Sequence, residues 1–111
     1  MQGYNQEDAL RAIARSIDRK QFSELGPSID GILRQAQALD LQFMHDTGVL
    51  DADGYAGDGY YDDDEAFEFI VEEIVRQRGC NAEQAVLVAA VVDAYMGAQA
   101  AYLHRMGLEA E

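Results

Sequence analysis

The sequence predicts an all-α fold: a compact four-helix domain of two helical hairpins joined by an acidic Gly/Tyr/Asp loop. Three observations predict it. Four stretches repeat apolar residues at steps of three and four, the spacing of one helix face. Glycine and the single proline, Pro27, stand between those stretches, where they interrupt a helix. Alanine, leucine, valine, isoleucine, glutamate and glutamine dominate, a composition that favours helices. With 111 residues and 49% hydrophobic side chains, residues 1–111 suffice for one domain with its own core.

The first helix is expected at about 5–22. Leu10, Ile13, Ala14 and Ile17 share a face, with Arg11, Arg15 and Arg19 on another. Asn5 can cap it, and Glu7 and Asp8 suit its positive end. The second is expected at about 27–47, with Pro27 in its first turn. Ile29, Ile32, Leu33, Ala36, Leu39 and Phe43 form its apolar face.

The third is expected at about 62–78. Asp62 and Glu65 have the spacing of a capping box. Phe67, Ile70, Val71 and Ile74 face inward, and Glu68 and Glu72 outward. Glu72 and Arg76 have the order of a favourable i,i+4 ion pair. Gly79 ends the helix. The fourth is expected at about 81–106, opened by Asn81 and Gln84. Its stretch AVLVAAVVDAYMGAQAAYL is apolar on nearly every side. Asp93 and Gln99 interrupt it and no basic cluster flanks it, so a central packed helix is expected, not a membrane span. Ala90, Ala94, Gly97 and Ala101 form a seam of small side chains, a candidate self-association surface for a homodimer.

The chain writes one phrase twice, FMHDTGVL at 43–50 and YLHRMGLE at 102–109. Both copies read as helix stops. Gly48 and Gly107 can take the left-handed conformation, and Val49 and Leu108 would fold back on the last turn. His45 and His104 then lie where an imidazole meets free carbonyls. A helical di-metal site wants Glu-x-x-His pairs, but Gln42 and Ala101 precede the two histidines by three. No zinc or catalytic motif accompanies them. No catalytic, cofactor-binding or metal residue is therefore assigned, no cofactor is expected, and an enzyme is not the expected class.

The net charge is −13, and it is concentrated. Residues 1–35 hold five acids and five bases, residues 36–75 hold twelve acids and no lysine or arginine, and residues 76–111 hold four acids and three bases. Such a middle repels phosphate, so neither nucleic acid nor an anionic membrane is an expected direct partner. The loop DADGYAGDGYYDDDE, residues 51–65, fits calcium poorly. Starting an EF-hand at Asp51 places Tyr55 and Ala56 where an oxygen ligand and a glycine are wanted. A solvated linker explains its acids and glycines. Its tyrosines point further, to a contact surface, though Tyr61 also has a structural use, packing on the third helix. Asp93, amid apolar residues, would face a wet groove or pair with Arg11 or Arg15. The lone Cys80 reads as a small apolar residue before a helix, and it fits a reducing, cytoplasmic setting. The opening MQGYNQEDAL carries no secretory pattern.

The functional expectation is a regulator or inhibitor that docks on a basic, nucleic-acid-binding protein surface, with carboxylates standing where phosphates would. Asp51, Asp53, Tyr55, Asp58, Tyr60 and Tyr61 would contact that partner, together with Asp62, Asp63, Asp64, Glu65, Glu68 and Glu72. Phage and mobile-element inhibitors of host defence, including anti-CRISPR proteins, provide an analogy of class, not of sequence. The alternatives are a self-associating structural module and a calcium-responsive loop.

Overall fold

The computed structural model describes residues 4–50 and 59–107. Four helices follow one another: α1 (Gln6–Ser16), α2 (Ser28–Asp46), α3 (Asp63–Arg78) and α4 (Ala82–Arg105). This is the all-α four-helix domain that the periodicity predicts. α4 packs against the other three helices, and α2 also packs against α1 and α3. α4 alone, among the described residues, is long and apolar enough to cross a membrane. Here it supplies Val88, Val91, Val92 and Tyr95 to the centre of the bundle, opposite Ile13, Ile32, Leu33, Ile70 and Ile74.

Local chemistry sets most helix ends. Asn5 accepts from the Asp8 amide. Asp62 accepts from the amides of Asp64 and Glu65. Asn81 and Gln84 form a full capping box. Gly79 ends α3 in the left-handed region, at φ 63°. Pro27 caps α2 from just outside it, not from within its first turn. In α3, Ile70 and Ile74 are fully buried while Phe67 and Val71 are half-buried against the core.

The first helix is shorter than its periodicity predicts. It stops at Ser16, and Ile17 is extended. Asp18 then turns its carboxylate onto the Lys20 amide, a local bond that competes with helix. A series of tight turns follows, including Phe22 to Leu25 and Ser23 to Gly26. The break brings Phe22 into the core, where it is 2% exposed. In a continued helix Phe22 would fall off the face that carries Leu10, Ile13 and Ile17.

The repeated phrase closes α2 and α4 in the same manner. Gly48 and Gly107 both take positive φ, 79° and 68°. Each donates its N–H to the backbone carbonyl of the histidine three residues before it, His45 or His104. The fold-back residue of the first copy is not Val49. The Leu50 amide reaches the Met44 carbonyl, and Leu50 is the side chain buried there. Leu108 lies outside the described residues. The chain leaves at Leu50 and returns at Gly59, whose N–H donates to the Gly48 carbonyl at 2.8 Å. A Cβ at Gly59 would run into the Thr47 carbonyl oxygen, so no other residue fits that approach.

Candidate acidic interface and buried carboxylate

Asp64, Glu65, Glu68 and Glu72 fall on one side of α3, and Asp63, its first residue, falls on another. Asp63, Asp64, Glu65, Glu68 and Glu72 are all exposed. Tyr60, just ahead of the helix, is 83% exposed. The first-turn acids gain from the helix dipole, whereas Asp64, Glu68 and Glu72, at i,i+4 steps, repel one another. Among the described residues, no ion pair reaches any of these five. The expected Glu72–Arg76 pair does not form. Arg76 bonds Glu73 instead, through Nε at 2.8 Å and Nη2 at 3.1 Å, and holds that carboxyl below its ordinary value. Elsewhere Arg11 pairs with Asp8, Arg19, in the turns after α1, with Asp30, and Arg34 with Glu7.

Two residues of the expected contact surface have structural employment. Asp62 is the N-cap of α3. Tyr61 is half-buried and packs on α2. Its ring meets Phe43 edge-on at 6.0 Å, and its hydroxyl donates to Asp40 Oδ1 at 2.6 Å. Asp51, Asp53, Tyr55 and Asp58, which also carry the calcium alternative, lie outside the described residues.

The unexpected site is Asp40 itself. It is 1% exposed, and none of the ion pairs among the described residues includes it. Its second oxygen, Oδ2, accepts from the hydroxyl of Tyr95 on α4 at 2.8 Å. Tyr95 is fully buried. Burial is the main cause that pushes the Asp40 carboxyl above its ordinary value; the two tyrosine hydrogen bonds oppose it, and Asp63 adds to it. Tyr61 and Tyr95 are raised in turn, first by burial and then by the Asp40 charge. A second polar group lies one helical turn back. Gln37 donates to the Gln6 carbonyl and to the Tyr4 hydroxyl, and Tyr4 donates to Gln99 of α4.

Asp93 is exposed and makes no ion pair with Arg11 or Arg15. The carboxylate embedded among apolar residues is Asp40. The small-residue seam of α4 divides. Ala90 and Ala94 pack against the core, while Gly97 and Ala101 are exposed and a Cβ at Gly97 would meet open space. Cys80 is half-buried against the core. No group of three or more His, Cys, Asp or Glu side chains suited to a metal ion occurs among the described residues.

No family model, no curated protein and no solved structure matches this chain.

Proposed function

We propose that this protein acts by binding, as a small acidic regulator or inhibitor that docks on a basic protein surface through the outer face of α3 and the exposed Tyr60. One observation carries the reading: four exposed carboxylates, Asp64, Glu65, Glu68 and Glu72, share one side of α3, and among the described residues no ion pair reaches them. Like charges held together cost stability, and a basic partner would relieve the cost. Tyrosine beside them supplies contact area with little entropy to lose. A nucleic-acid-binding protein offers the complementary surface, because a row of carboxylates can take the place of its phosphates. The setting proposed is the cytoplasm.

The test keeps the cap and the fold. A variant with Asp63→Asn, Asp64→Asn, Glu65→Gln, Glu68→Gln and Glu72→Gln leaves Asp62 in place. The native chain should capture a basic nucleic-acid-binding protein at ~0.1 M salt and release it at ~0.5 M, since salt screens a charge-led contact. The variant should capture none. Equal capture by native chain and variant would end the reading.

A second reading is self-association through the outer face of α4. Val86 is 69% exposed there, and Gly97 would let another helix approach closely. Sedimentation of the native chain beside Gly97→Leu tests it. A native dimer that the variant loses would support it.

A further inference from the structure

Asp40 is held from two sides of unequal depth. Tyr95 reaches it from the bundle centre and has no exposed surface. Tyr61 reaches it from the chain just ahead of α3 and is partly exposed. Of the two donors only Tyr61 is partly exposed, so its displacement would bring water to the carboxyl without opening the core. We propose that Tyr61 is a latch over Asp40 whose hold is set by the proton on that carboxyl: the protonated form keeps Tyr61 seated, and ionisation favours its release to water.

The proton count permits both states. With Asp40 ionised, two hydroxyls donate into two oxygens. With Asp40 protonated, Tyr95 still donates to Oδ2. The carboxyl proton on Oδ1 then points to the Tyr61 oxygen, and the Tyr61 hydroxyl proton turns outward to solvent. Nothing is left without a partner in either state.

The surroundings favour the neutral form. Among the described residues, the titratable groups that act on the carboxyl are Tyr95 of α4 and Tyr61, by hydrogen bond, and Tyr4 ahead of α1 and the negative Asp63 at the start of α3, by charge. α1 turns its acids elsewhere, Glu7 to Arg34 and Asp8 to Arg11 and Tyr102. Arg34, the base on Asp40's own helix, is thereby engaged with Glu7. A carboxylate in this position has lost water and gained no cation. Opening that restores water also restores ordinary acidity, so ionisation and opening favour each other. The start of α3, with the acidic face it carries, is thus held most firmly below the ordinary aspartate range and loosens as pH rises through the raised Asp40 value. The inference adds regulation to the docking face and is tested on the isolated chain, so its failure would leave the docking reading standing.

The experiment is a pH titration by NMR of the native chain. It follows the Asp40 carboxyl carbon and the exchange of the Glu65 and Ala66 amides, which bond to Asp62 beside the latch. Asp40 should titrate above ~3.9, the value of an exposed aspartate. Exchange, corrected for its intrinsic pH dependence, should accelerate across that titration by up to about tenfold per unit of elevation. In Asp40→Asn it should be flat. In Tyr61→Phe, which keeps the ring, the Asp40 midpoint should rise further because the anion loses a donor. An ordinary Asp40 midpoint, constant amide protection through the titration, or a midpoint unmoved by Tyr61→Phe would each overturn the latch.

Discussion

The pocket around Asp40 and the outer face of α3 both hold carboxylates without cations, under opposite conditions. Asp40 is shut off from bulk solvent and depends on two tyrosine hydroxyls. Glu65, Glu68 and Glu72 have water and depend on nothing in the described chain. A buried carboxylate is therefore bound to its neighbours, and changing a neighbour is felt through the whole bundle. An exposed row is free of the fold, and changing it leaves the fold alone. The contrast separates what the molecule needs to exist from what it has to offer a partner.

Substitutions on the two faces of α3 test the separation most severely. Ile70 is fully buried. Ile70→Ala should cost about 2–5 kcal/mol, measured by denaturant unfolding, because the cavity adds to the lost transfer energy. Within the pocket, Tyr95→Phe strips Asp40 Oδ2 of its donor and should cost about 1–3 kcal/mol by thermal melting. Gly59→Ala probes the join between the two regions. Its Cβ meets backbone, which cannot turn aside, so a loss of about 1–3 kcal/mol is expected in the same assay. On the other face, Glu68→Gln should change stability by less than about 0.5 kcal/mol. A large effect at Glu68 would mean that the acidic row is structural, and the contrast would fail.

The pH dependence sharpens the same comparison. A carboxyl whose acidity is suppressed by folding stabilises the fold fully below its unfolded value, and that contribution is lost as pH rises through its folded value. Asp40 should therefore make the native chain lose stability on raising the pH out of the ordinary carboxylate range, and Asp40→Asn should remove that slope. Unfolding midpoints measured in both chains over that window check it. Matching slopes would assign the effect to the exposed acids.

The helix ends of α2, α3 and α4 were legible within about one residue, because caps such as Asp62, Asn81 and Gly79 act over three or four positions. The end of α1 was not. Its apolar period runs on through Ile17, and what breaks it is the turn at Asp18 together with the gain from burying Phe22. Only the second of these depends on the rest of the fold. Asp40 was legible in part: it falls between Ala36 and Phe43 on an apolar face, a position where a carboxylate is out of place. Its tyrosine partners lie 21 and 55 residues away, and no local pattern announces them. Asp93 drew attention because every neighbour in sequence is apolar. A helix apolar on nearly all sides gives no phase, so the sequence did not reveal that Asp93 points outward. The acidic face of α3 followed from its period, whereas the use of Tyr61 on α2 did not.

The contact between Gly48 and Gly59 makes the intervening chain a port in the bundle. Both rims are fixed by the fold, so the length of chain joining them can be changed at little cost. For a flexible insert, each doubling of length costs only about 0.6 kcal/mol in closure entropy. A fluorophore, an epitope or a second domain could be spliced between Leu50 and Gly59 with its two ends already side by side. The four helices would carry such cargo without altering their packing.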